Sequence, residues 1–237
     1  MAIDTTYRTQ ETEIMDDFFL EGKELQEALD KIASINRLLG GNKLTLHGLK
    51  TLLKKSDATK TITIADIGCG NGDMLRMLAN YGKKNNLNLT LIGIDANAFT
   101  INYARKLSTE YPNIEYLCVD IFSDDFNAIE YDIVLCTLTL HHFSNEEILN
   151  IMSTFNKNAN IGIVINDLHR SKLAYRLFEK VCAVFKLNKM SREDGLVSIL
   201  RGFKKKELEN FSKKLDLKNY TINWKWAFRY QWIIAKK

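Results

Sequence analysis

Between Glu21 and Leu39 the apolar residues Leu25, Ala28, Leu29, Ile32, Ile35 and Leu39 recur at the spacing of one helical face, and Gly40-Gly41 stops the pattern. A shorter helical stretch follows from Leu44 to Leu53. From Thr61 the rhythm changes to short apolar runs: Ile62–Ile67, Leu89–Ile94, Ile114–Val119, Ile133–Leu138 and Ile161–Ile165. Amphipathic stretches separate them, at Asp73–Lys84, Phe99–Glu110, Asn145–Phe155 and Lys172–Leu187, with a further helix at Lys205–Leu215. Ser144 and Glu147 form a capping box for the third of these helices. Strands alternating with helices predict a parallel sheet covered on both faces. Tyr220–Ile234 reads as two closing strands. Trp224, Trp226, Phe228, Tyr230 and Trp232 fall there at every second position, as one aromatic face packed on the sheet or, alternatively, a substrate wall.

Composition adds limits. The chain has 237 residues, 46% hydrophobic and 26% charged, with a net charge of +4 that is too mild to argue for nucleic acid. The first forty residues lean acidic, and the stretch after His169 is basic. Cys69, Cys118, Cys136 and Cys182 are far apart and form no zinc or disulfide pattern, and Cys118 and Cys136 read as buried small hydrophobes. The polar Met1–Gln10 has no signal core and no apolar run could span a bilayer, so a cytoplasmic location without membrane insertion is expected.

The chemistry concentrates after the first strand, in Asp66-Ile67-Gly68-Cys69-Gly70-Asn71-Gly72-Asp73. A glycine loop between a strand and a helix lets the backbone approach a ligand, and the helix N-terminus offers free N–H groups. The spacing is GxGxG, not the GxGxxG of nicotinamide enzymes. Asp95 ends the second strand in Gly93-Ile94-Asp95-Ala96, placed to accept hydrogen bonds from ribose hydroxyls. Asp120-Ile121 follows the third strand, where the carboxylate can accept from an adenine amine and the isoleucine can cover the ring. One such aspartate could be a helix cap; three at successive strand tips point to a nucleotide-like ligand.

These motifs, over Thr61–Asp167, resemble the class I S-adenosylmethionine (SAM)-dependent methyltransferases. The resemblance implies a Rossmann-like α/β fold whose seven-stranded, mostly parallel sheet has an antiparallel last strand. It further implies SAM as cofactor, with S-adenosylhomocysteine (SAH) as product. Gly68, Gly70, Gly72 and Asp66 would lie near the methionine part, Asp95 and Ala96 at the ribose, and Asp120 and Ile121 at the adenine. Thr137-Leu138-Thr139-Leu140-His141-His142 looks like the fourth-strand signature of the small-molecule enzymes related to ubiquinone and menaquinone biosynthesis, with Thr137 and Leu138 in the cofactor set. Asn36–Gly41, Asp167–Arg170 and Asp194–Phe203 are similar to a bacterial subgroup associated with polyketide- or lipid-type biosynthesis.

The expected division is an N-terminal helical extension over 1–58 and a SAM-binding domain over 59–237, with a lid-like helical insertion at about 170–204. The expected acceptor is small and apolar, phenolic or lipid-like. Candidate catalytic residues are His169, His141 and His142, with His169 favoured as general base; Asn166, Arg170 and Arg201 are candidates for binding substrate, and no metal is expected. The N-terminal helices either close over the cofactor or form a homodimer contact. RNA or protein methylation is the rival activity, but the place of an Asn-Pro-Pro-Tyr-like loop holds Thr139-Leu140-His141-His142, and the chain's one proline is Pro112. A non-catalytic SAM-binding partner protein is the rival of another class.

Overall fold

The computed structural model describes residues 3–54 and 60–236. Seven strands form one sheet in the order β3-β2-β1-β4-β5-β7-β6. They are β1 (Ile62–Ile67), β2 (Leu89–Asp95), β3 (Ile114–Cys118), β4 (Ile133–Thr137), β5 (Gly162–Leu168), β6 (Tyr220–Lys225) and β7 (Arg229–Ala235). β7 runs antiparallel to both β5 and β6, while β1 to β5 pair in parallel. The expected sheet is therefore present, and the crossovers bring the ends of β1 to β5 to one edge.

The period of two along each strand sorts its side chains between two cores. Ile62 and Ile64 of β1, with Ile133 and Leu135 of β4, face α2 (Gly41–Leu53), α3 (Asp73–Lys84) and α4 (Ala98–Leu107). Ala65 and Ile67, with Val134 and Cys136, face α6 (Asn145–Asn158) and α9 (Lys205–Lys214). Ser144 caps α6 as its sequence indicates: its hydroxyl accepts from Glu147 N–H, and the Glu147 carboxylate accepts from Ser144 N–H. A short α5 (Asp124–Asn127) follows β3.

The N-terminal segment does not stand apart. Residues 3–20 run across the sheet edge to α1 (Lys23–Leu38), and α2 places Leu49 and Leu52 in the main core. Leu25, Ala28 and Leu29 of α1 form a small separate cluster with Met190. The boundary expected at 58/59 lies outside the described residues. The stretch at 170–204 holds two helices, α7 (Lys172–Val184) and α8 (Lys189–Arg201), where the periodicity indicated one. In α8 the apolar positions are few and Gly195 lies mid-helix, packed so closely that a Cβ there would be 2.4 Å from the Phe178 ring. Among the described residues no helix is long and apolar enough to cross a membrane.

Two readings need correction. The aromatic series is one face only in part: the register places Trp224 opposite Tyr230, on the same face as Trp232, but residues 226–228 form the hairpin turn and break the alternation. Tyr230 and Trp232 enter the core, whereas Trp224 and Trp226 are 49% and 68% exposed. Cys118 is exposed, since β3 is an edge strand, while Cys69, Cys136 and Cys182 are buried, and all four are free thiols.

Gly48 sets how closely α2 lies on β5. A Cβ there would stand 2.5 Å from Val164 Cγ1 and 3.2 Å from Gln231 Nε2. Replacing a helical glycine normally stabilises by about 1 kcal/mol, whereas overpacking costs about 1–3 kcal/mol. With a leucine the packing cost wins, so Gly48→Leu is expected to lower stability in urea denaturation; a stability equal to or above the wild type would contradict this packing.

Candidate active site

Beyond the C-terminal strand ends lies a cavity of about 990 Å³, at the upper end of ligand pockets. One wall is the glycine loop with the strand tips. Gly68 and Gly70 take left-handed φ values of 65° and 53°, and a side chain on Gly68 would strike Thr139, with Oγ1 2.3 Å from its Cβ. The loop is thereby held against β4, with its backbone facing the cavity. Gly72 does not line the cavity; it precedes α3 with φ 77°, against the Tyr116 ring.

Asp66, Asp95, Ala96, Asp120, Ile121, Thr137 and Leu138 all reach the cavity. Asp95 accepts from Asn97 N–H at 3.1 Å and Gly70 N–H at 3.3 Å, tying the β2 tip to the loop. Burial raises its pKa. Asp66 is buried at the head of the loop, and burial, with Asp73 and Asp95 nearby, pushes its carboxyl well up. Such a group favours the neutral acid until a cation arrives beside it. This donor set, carboxylates at three strand tips around a glycine loop, fits an adenosyl ligand with a cationic amino-acid end.

The fourth strand leads into a 3-10 turn, Leu140–His142, and an ionic cluster. His141 is buried: its Nδ1 lies 2.7 Å from Asp167 Oδ1 and its Nε2 3.5 Å from Glu13 Oε1. His142 Nδ1 lies 2.6 Å from Asp16 Oδ1. Arg201 Nη1 bridges Asp16 at 2.6 Å and Glu13 at 3.7 Å, and Arg201 also donates to the His141 and His142 carbonyls. Glu13, His141 and His142 bring one ligand atom each within 4.8 Å of one another, the spacing of a metal site. The adjacent guanidinium and a proton on His141 already compensate these carboxylates. Burial disfavours the imidazolium, but Asp167 and Glu13 outweigh it and lift the His141 pKa to about 9.

A histidine protonated at neutral pH cannot take up a proton, so His141 fits a structural lock. His169 is half-buried and lines the cavity, but Trp224 Nε1–H donates to its Nδ1 at 3.1 Å. An indole N–H only donates. The neutral His169 ring therefore keeps its proton on Nε2 and presents a donor, not a free base. Its pKa is lowered by burial and by Lys204 and Arg170.

The candidate substrate residues divide. Asn166 is buried on the opposite pleat, donating to Gly41 O and Thr45 Oγ1 at 3.0 Å each, and does not reach the cavity. Arg170 is also fully buried and away from it, bonded to Thr5 O at 3.1 Å and Glu207 at 2.7 Å. Arg201 reaches the wall, but its donors are spent on the cluster just described. Sequence reasoning missed Glu13, Asp16, Asn36 and Arg229, which also line the cavity. A charged residue opening the mostly apolar strand Arg229–Ala235 was a legible signal for Arg229; Glu13 and Asp16 carried none.

Residues 64–160 match the family model described as "Methyltransferase domain". That segment runs from within β1 through β4 and α6 and carries the strand tips with Asp66, Asp95 and Asp120. A "Putative methyltransferase 235L" of Invertebrate iridescent virus 6 is 30% identical over 106 residues, which are 40% of this chain and 37% of that protein. The chain thus spans little more than a third of that relative's length. Among solved structures, the plantazolicin methyltransferase BpumL in complex with SAH is 21% identical, covering 90% of this chain and 96% of that one, with a TM-score of 0.62. Magnesium protoporphyrin IX methyltransferase (ChlM) from Synechocystis PCC 6803 with bound SAM is 14% identical, covering 93% and 88%, with a TM-score of 0.53. At these identities the likeness is one of fold.

The His141 pKa lies above the ordinary 6.5, so its contribution to stability is full below about pH 6.5 and is lost as pH rises through about 9. Thermal melts are expected to show declining stability from pH 7 to 10. His141→Leu strands Asp167 and should cost about 3–5 kcal/mol at pH 7. A wild-type stability flat over that range would contradict the protonated lock.

Proposed function

We propose that the protein transfers a methyl group from SAM to a small, mainly apolar acceptor. One observation carries this reading: the wall bearing Asp66, Asp95 and Asp120 belongs to the same cavity as an apolar wall from α7, α8 and the β6–β7 turn. The first wall suits the donor and the second the acceptor. Large apolar side chains line that second half and are partly open to solvent, among them Leu177, Val184 and Trp226 at 38%, 76% and 68% exposed. Their exposure without a ligand is what a site for an apolar molecule would show.

SAM, when bound, supplies an electrophilic methyl on a sulfonium whose charge disperses as the methyl leaves. This chain's residues have mainly to position the acceptor in line with it, roughly 3 Å from the methyl carbon, and to exclude water. Residues 12–18 and α1 cover the donor half, and α7 with α8 covers the acceptor half as a lid. His169 contributes a hydrogen-bond donor toward the acceptor. The ionic cluster of Glu13, Asp16, His141, His142 and Arg201 holds the N-terminal strap across the β4 end, so its role is positioning.

Isothermal titration calorimetry with SAM tests this directly. Burial raises the Asp66 pKa and an ammonium group beside it would lower it again, so SAM binding should release protons over the pH range in which Asp66 titrates. Buffers of different ionisation enthalpy would reveal the release, and Asp66→Asn should abolish it. Asp95→Ala should weaken SAM about 10–100-fold, from the loss of hydrogen bonds to a charged acceptor. Absence of SAM binding to the wild type would contradict the assignment.

A further inference from the structure

Arg229 opens β7, and the residue is 3% exposed. Its Nε and Nη1 are buried with no hydrogen-bond partner, and among the described residues no carboxylate lies within ion-pair distance of it. Arginine keeps its charge at any working pH. A buried cation without a partner is costly, and removing it in favour of an apolar side chain is often neutral or stabilising. Its charge therefore calls for a partner.

The nearest compensation is the charge of Asp167. That carboxylate is already engaged by His141 Nδ1, His141 N–H and Leu168 N–H. Arg229 lines the cavity, so a counter-ion can reach it only as a ligand. The planar fork of a guanidinium matches a carboxylate.

Two ligands could bring one: the acceptor, or the methionine end of SAM. Position favours the acceptor. In the sheet order β1-β4-β5-β7, Arg229 stands three strands from the glycine loop, about 14 Å at the usual strand spacing. It follows Phe228 and pairs with Leu168, beside His169. The opposing observation is Asn36, whose unpartnered Oδ1 lies near the guanidinium and whose amide connects through Asn42 to Asp73 at the loop. We propose that Arg229 binds a carboxylate carried by the methyl acceptor, which makes the acceptor an apolar acid. This rests on the methyl-transfer reading only for the word acceptor; the anion site stands on Arg229 itself.

The test uses octanoate and octanol as probes, titrated into the full chain saturated with SAH and followed by tryptophan fluorescence, since Trp226 lines the cavity. Octanoate is expected to bind at least tenfold more tightly than octanol. Arg229→Met should reduce that preference to about one, leave SAH affinity within about threefold, and leave the ligand-free melting temperature unchanged or higher. Arg229→Lys keeps the charge without the fork and should retain part of the preference. Equal binding of the two probes by the wild type overturns the proposal. It is equally overturned if Arg229→Met weakens SAH more than tenfold while sparing 5′-methylthioadenosine, which lacks the carboxylate. Failure of the wild type to bind SAH contradicts methyl transfer instead, and octanoate titrated alone then still reports on the anion site.

Discussion

Parallel strands joined by helical crossovers must all end at the same edge of the sheet. In this chain that constraint governs everything else. It brings Asp66, Asp95 and Asp120, separated by 29 and 25 residues of sequence, to one cavity wall. It leaves the loops between strand and helix free to carry chemistry, because the two cores below them are already filled by the alternating faces of β1, β4 and β5. The antiparallel β7 then extends the same edge away from the glycine loop, which gives the cavity its second half.

The N-terminal strap converts an open edge into an enclosed site. It does so with charge: Glu13 and Asp16 meet His141, His142 and Arg201, drawn from two different segments. Several buried charges are costly singly and tolerable only when each has partners. Asp167 completes the set from below. The strap and the β4 turn are therefore held as one unit, and a proton on His141 is part of that balance.

Much of this was legible in the sequence. The extents of β1 and α3 follow from an apolar run and an amphipathic stretch with a glycine loop between them, and the GxGxG loop with its strand-tip aspartates marked one wall of the cavity. Legibility failed where a side chain's direction depends on tertiary packing. Asn166 near the end of β5 and Arg170 just after it look available, yet the pleat turns Asn166 toward α2, and Arg170 is consumed by Thr5, Gly202 and Glu207. His169 sits at the cavity as expected, but Trp224, distant in sequence, fixes its tautomer. Arg229 stood in plain view in an aromatic hairpin, and only its burial without a partner singles it out.

The central claim is that the ends of β1, β2 and β3 hold the methyl donor while β7, α7 and α8 enclose the acceptor. A crystal structure of the SAH complex tests it most directly. The expected complex has ribose hydroxyls on Asp95, the adenine beside Asp120 and Ile121, the amino group near Asp66, and a remaining apolar space ending at Arg229. Adenosine bound elsewhere, or a carboxylate of SAH seated on Arg229 with no space left beyond it, would contradict it.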